Sequence, residues 1–98
     1  MEKRAHERVK TRYMVKVCGK LGVISDISSR GMQISTSLSP KSRKVDIILE
    51  NSGHLIKLLG VIQWIRRRQR IQAPNQIGVI IKKAPPEYRD FVNEITHH

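Results

Sequence analysis

Apolar and polar positions alternate along most of the chain, and the period changes only near its end. Val15 and Val17 flank Lys16 in "YMVKVC", and "VDIILE", residues 45–50, alternates in the same way. Side chains that point by turns to a buried and a wet face are the mark of antiparallel strands. Strands are predicted from Tyr13, after a turn at Gly19-Lys20, and at 31–35, 45–50, 55–65 and 76–82. Gly19-Lys20 places glycine first in the turn, as type II′ hairpins prefer. "NSG", residues 51–53, marks a second turn. "LIKLLGVIQWI", residues 55–65, is too long for one straight strand, and Gly60 predicts a bend or bulge within it. From Pro86 the period turns helical: Tyr88, Phe91, Val92 and Ile95 fall at i, i+3, i+4 and i+7, with proline near the first helical position. The fold class is therefore mainly β, a small six-stranded antiparallel β-barrel with a C-terminal α-helix packed on it.

Residues 1–12 stand apart. "MEKRAHERVKTR" has five Lys and Arg and only two aliphatic residues, so it reads as a flexible basic N-terminal arm, with the barrel and helix spanning 13–98. Ninety-eight residues supply one modest core. The charge changes the picture more. Nineteen Lys and Arg against eight Asp and Glu give a formal +11, and such an excess draws phosphate-bearing partners: nucleic acid, nucleotide or an anionic membrane surface. No run approaches the roughly 20 apolar residues of a membrane span, and the N-terminus lacks the apolar stretch of a signal peptide. One cysteine, Cys18, forms no internal disulfide and reads as a semi-buried thiol on a strand in a reducing, cytoplasmic setting.

Catalytic chemistry finds little support. His6, His54, His97 and His98 have no metal-ligand spacing with one another or with Cys18. There is no G-x-S-x-G, no G-x-G-x-x-G and no phosphate-binding loop motif, so neither an enzyme nor a bound cofactor is expected. "RRRQR", Arg66 to Arg70, reads first as a solvated hairpin loop and second as an anion-attracting rim. Trp64 follows Ile62 by two residues on a strand, which favours a core or helix-covered position over a base-stacking one. The four aromatics, Tyr13, Trp64, Tyr88 and Phe91, poorly supply the stacking platform that a single-strand nucleic-acid binder uses. A small basic β-barrel that binds RNA or DNA remains the alternative from charge alone.

One stretch calls for more than a turn. "SDISSRGMQIS", Ser25 to Ser35, holds D-x-S-x-x-G between two β-prone segments. If Gly19-Lys20 are the central turn residues, Tyr13 lies opposite Asp26 and Arg12 opposite Ile27, or one residue away if a bulge intervenes. The basic end of the arm then meets Asp26 and Ser28. Arginine forks form bidentate bonds to phosphate or to guanine O6 and N7. A carboxylate suits the other guanine edge, where N1–H and the amino group donate. Ser28 can donate to a phosphate oxygen, and Gly31 permits a positive φ or a close backbone approach to the ligand. Arg8, Arg12, Asp26, Ser28 and Gly31 together fit a guanine nucleotide carrying phosphate.

These residues resemble the PilZ domain, the bacterial receptor family for cyclic di-GMP. Its R-x-x-x-R before the first strand reads "RVKTR" here, and its D/N-x-S-x-x-G reads "DISSRG". "GVIQWI", "QIGVII" and "PPEYRDFVNEI" resemble the family's Gly-x-Val-x-Trp strand, last strand and closing helix. Position 9 is Val where the family often has a second arginine beside the first, and Arg4 forms an alternative R-x-x-x-R with Arg8. The resemblance implies a stand-alone cyclic di-GMP receptor in which Arg8 and Arg12 clamp phosphates and guanine edges, Asp26 reads guanine and Ser28 touches phosphate. Arg4, Ser29, Arg30, Trp64 and Arg66 are further candidates around the ligand. Ligand-induced ordering of the arm would then alter binding to a downstream effector protein. A PilZ-like interaction module without nucleotide binding is the second alternative.

Overall fold

The computed structural model describes residues 9–67 and 74–96. Arg4, Arg8, residues 68–70 of the arginine run and His97-His98 lie outside the described residues. Six strands, β1 (Val9–Val17), β2 (Lys20–Ile27), β3 (Gly31–Thr36), β4 (Lys44–Asn51), β5 (His54–Arg66) and β6 (Asn75–Lys83), precede one helix, α1 (Pro86–Thr96). All pairs are antiparallel, and they close a barrel in the order β1-β2-β3-β6-β5-β4. The predicted fold class is the one observed. Among the described residues no helix is long and apolar enough to cross a membrane.

The core follows from the alternation. Val15, Val17, Ile34, Ile47, Leu49 and Leu58 point inward at 3% exposure or less, while their neighbours Lys16, Asp46 and Lys57 face water. The helix closes one opening of the barrel. Tyr88, Phe91 and Val92 are buried on its inner face, and the Phe91 ring meets Tyr13 edge-on at a centroid separation of 4.8 Å. Pro86 opens the helix, where its missing N–H costs nothing.

Three details depart from the expected pattern. β1 begins at Val9, so Val9 to Arg12 belong to the barrel and not to the arm. The alternation in "VKTRY" was its sign: Val9, Thr11 and Tyr13 are partly buried, Lys10 and Arg12 exposed. The first hairpin turns on Cys18-Gly19, with φ of 50° and 83°, and Val17 pairs with Lys20. Two positive φ values in a two-residue loop define a type I′ turn, whose twist matches the strands. The expected Gly19-Lys20 turn is thus one residue out, and Cys18 is an exposed turn residue rather than a semi-buried strand thiol. The β5–β6 ladder does shift at Leu59/Gly60, the bend expected there, but it shifts again between Ile62 and Trp64.

Candidate ligand-binding site

The second shift on β5 decides where Trp64 goes. Ile62 pairs with Val79 and Trp64 with Gly78, so Gln63 is an extra residue on β5. Without it, Trp64 would point inward like Ile62. The bulge puts Gln63 and Trp64 both on the outside, which overturns the expected core position of Trp64. β2 repeats the device. Ile24 pairs with Ile34 and Asp26 with Gln33, leaving Ser25 as the extra residue. Asp26 turns outward, while Ile27 turns in and is fully buried.

Both bulges serve one row. Lys10 pairs with Asp26, Asp26 with Gln33, Gln33 with Gly78, and Gly78 with Trp64. At about 4.8 Å per strand the row crosses five strands and roughly 19 Å of outer face. Gly78 lets the indole lie across it: a Cβ there would sit 2.2 Å from Trp64 Nε1. The indole flanks a shallow hollow of about 380 Å³ that includes Arg30, Gly31, Gln33 and Gln63.

The D-x-S-x-x-G segment caps the same end of the barrel. Ile27 ends β2 and Gly31 begins β3, so residues 28–30 form a tight loop. Ser28 is 1% exposed. Its Oγ accepts from Arg30 N at 3.2 Å and Gly31 N at 3.3 Å, and it reaches the Gly31 carbonyl at 3.4 Å. The Ser28 N–H donates to the Gly31 carbonyl at 2.9 Å. A buried hydroxyl satisfied by its own loop shapes the backbone. The Tyr88 hydroxyl of α1 donates to the Ser28 carbonyl at 2.8 Å, so the helix fixes the loop.

Gly31 also has a structural reason. Among the described glycines only Gly19 and Gly53 have positive φ. A Cβ on Gly31 would lie 2.4 Å from the Val79 carbonyl oxygen, so glycine is needed for the close approach of β3 to β6. Above this frame Ser29 and Arg30 are exposed at the loop tip.

The arginines differ in placement. Arg12 is exposed on the outer face of β1, two residues from Lys10. Tyr13 pairs with Ile24 and Lys10 with Asp26, so Arg12 stands beside Ser25 rather than opposite Ile27. It also borders a hollow with Met14, Glu50 and Leu55. Arg66 pairs with Gln76, which pairs with Ser35, one outer row further from the loop than Trp64. Arg8 directly precedes β1 in sequence but, like Arg4, lies outside the described residues. Three participants in the row escaped the sequence reading: Lys10, Gln33 and Gly78. For Lys10 the alternation from Val9 was the available sign.

The whole described fold, including this row and loop, falls within a match to the PilZ domain over residues 2–96. The chain belongs to the PilZ domain family. PilZ domains are generally receptors for cyclic di-GMP and act on effector proteins. No curated protein matches the sequence significantly. Among solved structures, the Bacillus subtilis inhibitor of motility MotI/DgrA superposes with a TM-score of 0.71 at 14% identity, covering 94% of this chain and 48% of that one. The PilZ chain thus spans about half the length of that protein, and the likeness is one of fold.

Proposed function

We propose that this PilZ domain is a cyclic di-GMP receptor without catalytic activity, and that the row from Lys10 to Trp64 is the floor on which the ligand rests. The observation that carries the reading is that two bulges turn Asp26 and Trp64 to the same outer face, beside the Ser28-built loop. Arg12 and Arg8 supply forks for phosphates and for guanine O6 and N7. Asp26 accepts from guanine N1–H and the 2-amino group. The exposed Arg30 faces phosphate, and the indole of Trp64 offers a flat apolar side to a base. Ser28 and Gly31 act by holding the loop in shape, not by touching ligand.

In this reading the segment ahead of β1 carries the signal. Ordering of residues 1–8 over the loop when Arg8 finds phosphate changes the surface offered to a downstream effector protein, in a cytoplasmic setting. That MotI/DgrA is an inhibitor of motility supports a protein partner as the readout. The net charge of +11 keeps RNA or DNA binding as the competing outcome.

Calorimetric titration with cyclic di-GMP tests the reading, with cyclic di-AMP, GTP and an RNA oligomer as controls. Cyclic di-GMP is expected to bind most tightly. Asp26→Ala is expected to weaken it and to narrow its preference over cyclic di-AMP, whose adenines lack the N1–H and 2-amino donors. Tightest binding to RNA overturns the proposal. Amide exchange tests the signal: protection by ligand is expected in residues 1–8 and around Ser28, with β6 unchanged. A segment equally protected without ligand removes the ordering step.

A further inference from the structure

Away from the row, the outer face of β1, β4 and β5, with the start of β2, carries most of the exposed aliphatic side chains among the described residues. Met14, Leu21, Leu55 and Leu59 are 56%, 60%, 63% and 47% exposed. Leu21 pairs with Lys16, Lys16 with Ile48, and Ile48 with Lys57, so apolar and basic residues alternate across four strands. Glu50 pairs with Leu55, and Asp46 with Leu59. Two hollows open on this face and share Ile48, Ser52 and Leu55. One is bounded by α1 and lined by Asp46, Glu87, Asp90 and Glu94.

The charges say what fits there. Five of the chain's eight acids line these hollows, together with Arg12, Lys16, Lys57 and Lys83. The face is therefore close to neutral, and the +11 excess resides elsewhere. A strongly acidic or strongly basic partner gains little from five acids interleaved with four bases. A surface carrying both signs in near-equal number beside exposed aliphatics suits its own copy, because a two-fold axis sets each residue i against j and each j against i. It is also where two +11 chains approach with least repulsion.

The extent agrees. Of the residues lining the two hollows, Val15, Ile47, Ile56 and Leu58 are buried, and the other twenty are near the lower end of the number per side of a stable interface. We infer that the outer face of β1, β4 and β5, with Leu21 of β2, is a two-fold interface between copies of this chain, meeting the proposed ligand face only at Arg12.

Sedimentation equilibrium over roughly 10 to 500 µM chain tests this. A monomer–dimer equilibrium is expected. It should tighten as salt rises from about 50 to 300 mM, since screening relieves repulsion between two +11 chains while the apolar contact persists. Leu55→Glu and Leu59→Glu, each at an exposed site and so compatible with folding, are each expected to weaken dimerisation at least about tenfold. Their circular dichroism and cyclic di-GMP titration should match the parent. A monomer throughout, a dimer indifferent to both substitutions, or one that loosens as salt rises overturns the inference. Loss of ligand binding in the parent protein would bear on the receptor reading alone.

Discussion

The β4–β5 hairpin and the strands around the row are made of the same kind of residues and behave differently. β4 and β5 pair eight successive positions, Lys44↔Val61 to Asn51↔His54, without a shift. β1–β2, β2–β3 and β5–β6 each shift beside Asp26 or Trp64. On the regular ladder alternation alone places every side chain. Around the row, one inserted residue on β2 and one on β5 send Asp26 and Trp64 out; on β2 the next residue, Ile27, returns inward. Irregularity marks the proposed ligand face, and regularity the face proposed for a second copy.

The largest expected effect breaks the frame beneath the site. Gly31→Ala sets a Cβ against the Val79 carbonyl, forcing β3 from β6. It should cost about 3 kcal/mol in urea unfolding. Loss of less than about 1 kcal/mol would show that the close approach is relaxed at little cost.

Next come the side chains on the ligand face. Arg12→Ala is expected to weaken cyclic di-GMP binding roughly 10- to 100-fold, and Trp64→Ala about tenfold if a base stacks there. Arg12→Ala should leave unfolding within about 0.5 kcal/mol, as an exposed site does. Leu55→Ser, on the regular face, should leave the titration unchanged. If Leu55→Ser and Arg12→Ala weaken the ligand alike, the two faces are not separate.

Tyr88→Phe removes the donor to the Ser28 carbonyl. A buried carbonyl without its partner costs about 1–2 kcal/mol, and binding should fall by less than for Arg12→Ala, because the loop loosens while its charges stay.

How far the sequence revealed all this follows the same division. The strands, the terminal helix with Pro86 first and the turn at "NSG" were legible because their alternation and punctuation are local. The bulges were not. An extra residue in "VISDI" or "VIQWI" leaves the composition unchanged, and only the partner strand shows that Ser25 has no opposite number on β3, or Gln63 on β6. The first turn was misplaced by one residue because cysteine carries no preference for positive φ, so Gly19 was given the first position. Ser28 and Gly31 were singled out for their residue types, but short polar and bare residues serve a loop's own geometry as readily as a ligand. The smallest expected effect sharpens the point: Cys18→Asn, which tolerates φ near 50° better, should stabilise by about 0.5 kcal/mol and leave ligand binding untouched.

The Tyr88–Ser28 bond joins residues 60 apart, and β3 finds its outer neighbour only in β6, 39 to 49 positions on. During synthesis the charges of Arg12, Asp26 and Arg30 leave the ribosome early, yet the floor and loop that give them direction wait for residues 75–96. Until β6 and α1 emerge, those side chains are a recognition alphabet without a grammar. The proposed site takes its shape only once β6 and α1 have joined the floor and loop.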